Sequence, residues 1–340
     1  MEDINKIKTI HEIKNKFIVD DTTLNKFIEQ IDSSDFKDNI DRFFRGYKTE
    51  DNFHFLLSAM PWVKLIHELG QNQLPILSKG TYQVPDFTIF FETSKKENIP
   101  ILIEVKSVKG DKQSLEVMTK QLDACLEYSK IIDIPFLYAI YWEKYQTWTF
   151  NTLENFEVKT KKHKIKIFDA FKNDLSVLFG DITFVINKPI YRKTICDKSI
   201  KDSSKPQHEK YGVILSDSVS TDNKNYIPIE SIESAIIDAS IKMEIKDTQK
   251  NGDKTTIIEV SDNNYFLKLS TLTLRHIAIF GVELNEQYAD ISRRVIIEFF
   301  KKLNITQSFS IPNNKSQTSD FLYKQAFDET WVMKNYKAAT

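Results

Sequence analysis

A chain of 340 residues with 41% hydrophobic residues has the composition of a globular protein and exceeds the usual size of a single domain. Its formal net charge of −1 leaves a polyanionic partner open only through locally clustered lysines and arginines. Two cysteines, Cys125 and Cys196, offer neither a disulfide framework nor a zinc-knuckle spacing, which fits a reduced compartment. The opening Met1–Lys6 lacks the apolar core of a secretory signal, and no apolar run approaches the ~20 residues of a membrane span, so a soluble, cytoplasmic protein without a membrane partner is expected.

Ile4, Ile7, Ile10 and Ile13, then Leu24, Phe27, Ile28 and Ile31, recur at helical spacing, so residues 1–48 read as a helical segment. The apolar positions Phe53, Leu56, Leu57, Met60, Trp62, Leu65, Ile66 and Leu69 predict helix over 50–69, kinked or restarted at Pro61 and ended by Gly70. Glu68 then falls in the last turn, where the helix dipole disfavours an anion; a solvated surface glutamate is the plain alternative. Strands are expected over 74–77, 82–91 and 101–107, a helix over 112–130, and a strand over 134–142. A short strand at 147–150, a basic stretch at 159–166 that reads as either a solvated loop or a strand, a helix over 169–179 and a strand over 182–186 complete a domain spanning 49–190. The polar stretch 197–210 reads as a linker. Beyond it, a C-terminal α+β domain, 211–340, is expected from strands at 211–215, 256–260 and 265–269 and helices at 230–243 and 286–303, with Asn251-Gly252 as a hairpin turn. The last segment, 308–340, has Phe321, Phe327 and Trp331 to pack back with.

The chemistry concentrates at the heads of two strands. Asp86 follows Pro85 at the start of one; Glu104 and Lys106 end the next, on the face opposite Ile101, Ile103 and Val105. A carboxylate and an ammonium on a strand this apolar are costly to bury without a purpose. Other readings stand beside this one: Asp86 as a turn residue after Pro85, and Glu104–Lys106 as a surface ion pair worth ~0–1 kcal/mol. Eight glycines in the whole chain leave no phosphate-cradling loop, no dinucleotide fingerprint and no nucleophile elbow. His276, with no second ligand at helical spacing, reads as a core histidine.

The order helix-β-β-β-helix-β over residues 50–145, with Pro85-Asp86 and Glu104-Val105-Lys106, resembles the PD-(D/E)XK nuclease superfamily. The resemblance implies an α/β fold: a restriction-endonuclease-like core of mixed sheet flanked by helices, here with the N-terminal helical segment and the C-terminal α+β domain added. It implies a metal-dependent endonuclease acting on DNA in restriction or anti-phage defence; an RNA-directed nuclease and a non-catalytic binding module share the same residues. Asp86 and Glu104 are hard oxygen ligands suited to Mg²⁺, for which Mn²⁺ can substitute. Lys106 would polarise the attacking water and stabilise developing charge. By resemblance, the Val105 carbonyl is a further ligand, Glu68 reaches a metal water or second ion, and Gln121 faces the site; on its own residues Gln121 reads rather as a solvated helix position. Lys162, Lys164 and Lys166 would line one face of a strand toward phosphates, or simply be solvated. A homodimer is expected if both strands of a duplex are cut, and any ATP hydrolysis would come from a partner subunit.

Overall fold

In a computed structural model, the chain is described over residues 2–70, 73–262, 265–279, 286–309 and 316–327. Trp331 lies outside these. The N-terminal segment is helical as its periodicity predicts: α1 (Glu2–Lys16), α2 (Asp21–Glu29), α3 (Ser34–Asp38) and α4 (Ile40–Ser58), with α2 capped by Asp20 and α3 by Ser33. The expected segment limit at residue 48 falls inside α4, which runs on into the core.

That core is a mixed five-stranded sheet, ordered β1 (Val63–Glu68), β2 (Phe87–Glu92), β3 (Asn98–Val108), then β5 and β6 below. After β3 come β4 (Ser114–Met118), α5 (Thr119–Ile132), β5 (Phe136–Trp142) and β6 (Thr147–Asn151). β3 and β5 are parallel, joined by the α5 crossover; the other neighbours are antiparallel. Alternation divides β3 as its sequence demands. Ile101, Ile103 and Val105 pack with Phe53, Leu56 and Leu57 of α4, while Leu102 and Val108 pack on the opposite side with Leu122 and Cys125 of α5.

Three segments differ from their sequence pattern. α4 stops at Ser58, and the residues expected to continue it form β1, an edge strand against β2. The pairing register shifts between Val63 and Leu65, so Val63 and Ile66, three apart, are the half-buried pair; this bulge imitates a helical period. Leu74–Leu77 is no strand: Ile76–Gly80 is a 3-10 turn. The helix expected from residue 112 begins only at Thr119, because Leu115 and Val117 alternate inward in β4 while Met118 is exposed.

The basic stretch, readable as loop or strand, forms a strand over residues 162–166. β8 (Lys162–Lys166) lies between β4 and β7 (Glu157–Val158), antiparallel to both, in a separate three-stranded sheet; α6 (Ile167–Lys172) follows and stops short of the helix expected over 169–179, with Ser176–Phe179 a 3-10 turn. β9 (Thr183–Ile186), expected in the first domain, pairs instead with β16 and β17 of the second half. There, β10 (Tyr191–Asp197), β11 (Gln207–His208), β12 (Gly212–Ser220) and β13 (Ile227–Pro228) precede α7 (Ser231–Ser240). Then follow the hairpin β14 (Met243–Asn251) and β15 (Lys254–Ser261), turning at Gly252 as expected, and β16 (Tyr265–Lys268). α8 (Leu269–Ile279), α9 (Glu286–Lys302), β17 (Thr306–Ser308) and α10 (Gln317–Ala326) are the last elements among the described residues. The sheet β11-β12-β10-β15-β14 thus includes a strand and an edge from the stretch 191–210, part of which reads as linker. Leu322, Ala326 and Phe327 return to the first core, whereas Phe321 is exposed.

A buried ion cluster joins the halves. Lys268 at the end of β16 holds Asp174 at 2.7 Å and Asp181 at 3.2 Å, and donates to the Trp148 carbonyl at 2.7 Å. Burial opposes the Lys268 charge, but the two aspartates outweigh it and hold its pKa above the usual lysine value. Lys268→Met leaves two buried aspartates facing each other, and chemical denaturation should read a loss of about 3–5 kcal/mol. A loss under ~1 kcal/mol would mean that the cluster is solvated.

Candidate active site

The antiparallel register of β2 on β3 sets Phe87 against Ile103, which brings Asp86 opposite Glu104. Asp86 Oδ2 accepts the Val105 N–H at 2.7 Å, locking the strand heads together. Lys106 Nζ donates to Glu104 Oε1 at 2.6 Å and to the Val105 carbonyl at 3.1 Å. Gln121 from α5 donates to the same Glu104 oxygen at 3.4 Å, and Gln83 does so at 3.5 Å, both at the outer limit of a hydrogen bond. The fold therefore gathers Asp86, Glu104, Val105, Lys106 and Gln121 in one place. Glu104 is only 2% exposed, so its pair with Lys106 is no surface ion pair.

Glu104 Oε2 is buried and accepts no hydrogen bond among the described residues. The hydroxyl of Tyr138, directly across from Glu104 in the parallel β3–β5 register, is likewise buried without a partner. Several buried polar atoms elsewhere in the chain also lack a partner, but Glu104 Oε2 is the carboxylate oxygen among them and lies beside a second acid, an arrangement with the lone pairs and the charge to accept a cation.

The electrostatics are strained in the same direction. Burial first, then the neighbouring Glu104 charge and that of Glu50, pushes the Asp86 carboxyl well above the usual carboxylate range, against the pull of Lys106 and the Val105 N–H. Burial also raises Glu50, with Glu104 and Asp51 adding to it and Lys106 and Lys8 opposing. Burial alone would lower the Lys106 pKa, yet Glu104 and Asp86 overcome it and raise the value. Three carboxyl groups thus crowd one ammonium.

Glu50 was missed by sequence reasoning because a helix beginning at residue 50 places it at an end. It lies inside α4, on the stripe that runs from Phe43 through Tyr47 to His54, and an acid within an apolar stripe is the signal that could have found it. Gln83, the second residue of a predicted strand that in the structure begins only at Phe87, carries no such signal. Glu68 needs the opposite correction: it ends strand β1, not a helix, and its half-exposed carboxylate pairs with Lys8 of α1. Lys162, Lys164 and Lys166 do share one face of β8, opposite buried Ile165, but Lys162 and Lys164 hold Glu116 at 3.1 and 3.6 Å. His276 is buried, with Nε2 3.2 Å from the Ile232 carbonyl.

Among the described residues, no three His, Cys, Asp or Glu side chains close into a ready metal cage. The donor set nonetheless fits a hard divalent ion of the Mg²⁺ type, which takes one or two protein carboxylates and keeps its waters. Glu104 Oε2 and Asp86 would supply the oxygens, and the excess negative charge is of the right sign. The Val105 carbonyl accepts from Lys106 and has a second lone pair.

No family model matches the sequence, and no curated protein matches it. Among solved structures, Hjc, a Holliday junction resolvase from the archaeal hyperthermophile Archaeoglobus fulgidus, is similar over 40% of this chain and 96% of its own, at 13% identity and a TM-score of 0.30. That likeness is too slight to carry an argument. What stands from the coordinates is a mixed α/β protein whose sheet is flanked by helices, with no helix among the described residues long and apolar enough to cross a membrane.

Proposed function

We propose that the chain is a Mg²⁺-dependent nuclease hydrolysing phosphodiester bonds in DNA. The observation that carries this reading is the buried, unpartnered Glu104 Oε2 beside Asp86 and Lys106. A bound Mg²⁺ would supply Lewis-acid stabilisation at the phosphoryl oxygens and a water of lowered pKa. Asp86 and Glu104 would hold that ion, and the Val105 N–H fixes the Asp86 carboxylate. Lys106, held at the site by Glu104, offers a fixed positive charge to the attacking water and to the charge that develops on the phosphate. Gln121 and Gln83 steady the Glu104 carboxylate from α5 and from the segment before β2. Service in restriction or anti-phage defence, pairing into a homodimer and reliance on a partner ATPase extend the family resemblance and rest on it alone.

Calorimetric titration with Mg²⁺ tests the site without requiring the right substrate. One binding event is expected for the wild type and none for Asp86→Ala. Plasmid incubation with Mg²⁺ tests the activity, and cutting that survives Asp86→Ala combined with Glu104→Ala would refute the assignment.

A further inference from the structure

Between β1 and β2 the chain makes an excursion whose two ends are tied to the candidate site. The Leu69 N–H donates to the Asp86 carbonyl at 2.9 Å, and the Gln83 side chain reaches Glu104. In its middle is a compact turn: the Ser78 N–H and hydroxyl both return to the Pro75 carbonyl, at 2.9 and 2.6 Å, and Gln73 donates to Ser78 Oγ at 2.8 Å. This turn carries Leu74, Ile76 and Leu77 into solvent at 83%, 69% and 91% exposure. A single exposed leucine is ordinary; three large aliphatic side chains on one hydrogen-bonded turn beside a reactive site form an interaction surface.

Next to the turn lies a groove of about 600 Å³. Gly80 and Thr81 of the excursion form one wall, Lys120 and Ala124 of α5 the floor, and Thr160 and Lys161 of the β7–β8 turn the other wall. Gln83 connects groove and site, since its N–H donates to the Ala124 carbonyl at 3.0 Å while its side chain holds Glu104. The groove is lined by two lysines, Lys120 and Lys161, and two acids, Asp123 and Glu127; in sequence, residues 69–85 contain Lys79 and no acid, and residues 158–168 contain five lysines and no acid. Lys159, Lys162 and Lys164 are engaged by Glu157 and Glu116, while Lys161 and Lys166 form no ion pair among the described residues. Of the acids on the floor, Asp123 and Glu127, the latter is held by Lys130 at 2.6 Å.

We infer that the turn is a wedge and the groove a track for an unpaired strand, so that the substrate is a nucleic acid with a single-stranded segment adjoining the cut. This rests on the nuclease reading and names its substrate class. Leu, Ile and Pro are the residue types that insert between base steps and hold them unstacked, and Leu74-Pro75-Ile76-Leu77 presents all three. Lys161 on one wall and Lys120 on the floor suit the phosphates of a strand lying in the groove. An apolar protein partner would use the turn and leave those lysines idle; an unpaired strand uses both.

The test is fluorescence anisotropy in a metal chelator with one labelled DNA sequence offered as a full duplex, a single strand and a duplex with a single-stranded overhang. The wild type should bind the overhang and the single strand about tenfold more tightly than the duplex, the scale of one stacking contact. The variant Leu74→Ser/Ile76→Ser/Leu77→Ser, altered only at exposed positions, should keep its melting temperature and lose that preference. Lys161→Glu should weaken binding of the overhang and single strand. Equal wild-type binding to all three probes, a preference that survives the triple substitution, or a wild-type dimer that the triple substitution dissolves would each overturn the wedge alone. No binding to any probe would overturn the nuclease reading and this inference with it.

Discussion

Glu104→Gln should abolish Mg²⁺-dependent cleavage, with a loss on the order of 10³ or more, while the metal-free protein melts no lower than the wild type. The two results have one cause. Asp86, Glu104 and Glu50 crowd the Lys106 ammonium, and burial pushes Asp86 and Glu50 toward their neutral forms. Removing one of these carboxylate charges relieves repulsion in the empty site, and the isosteric amide keeps the packing of a residue that is 2% exposed. The same change removes the oxygen whose lack of a partner marks the ion site. Wild-type protein should gain stability on adding Mg²⁺, by about 2.7 kcal/mol at a hundredfold excess over Kd, and Glu104→Gln should gain almost none. Thermal melts with and without Mg²⁺ check both arms. A metal-free Glu104→Gln protein several degrees less stable than the wild type would show that Glu104 is a structural partner of Lys106 rather than a ligand in waiting.

Lys106→Ala should lower single-turnover cleavage by about 10²–10³ with DNA affinity nearly unchanged, because its ammonium acts chiefly on charge that appears in the transition state. Lys106→Arg should restore only part of the rate, since a planar guanidinium does not reproduce a compact point charge beside an ion. The structure adds an effect on stability. The Lys106 side chain is 27% exposed and its partner Glu104 only 2%, so truncation leaves the carboxylates without their chief cation. The metal-free variant should lose about 3–5 kcal/mol, and Mg²⁺ should return much of it. A surface pair would change stability by less than ~1 kcal/mol and cleavage hardly at all. Cleavage at the wild-type rate under saturating Mg²⁺ and DNA would remove Lys106 from the mechanism.

Local pattern was enough to single out Asp86, Glu104 and Lys106, while Val105 and Gln121 entered only through the family resemblance. Strand alternation separates Glu104 and Lys106 from Ile101 and Ile103, and Pro85 marks the strand head; both signals lie within a few residues of the chemistry. The helical N-terminus was legible for the same reason, as were α5, β5 and the hairpin turning at Gly252. The roles of Glu68 and Glu50 depended on tertiary structure. A β-bulge in β1 made a strand imitate a helical period, so Glu68 was read at a helix end, while α4 carries Glu50 to the strand heads from the other side of the sheet. Which strands share a sheet was also invisible. β9 and β10 pair with partners far along the chain, and Lys268 finds Asp174 and Asp181 only when both halves are packed. Alternation states which face of a strand is apolar; it does not name the neighbour, because pairing is decided by long-range register and by which buried charges must meet.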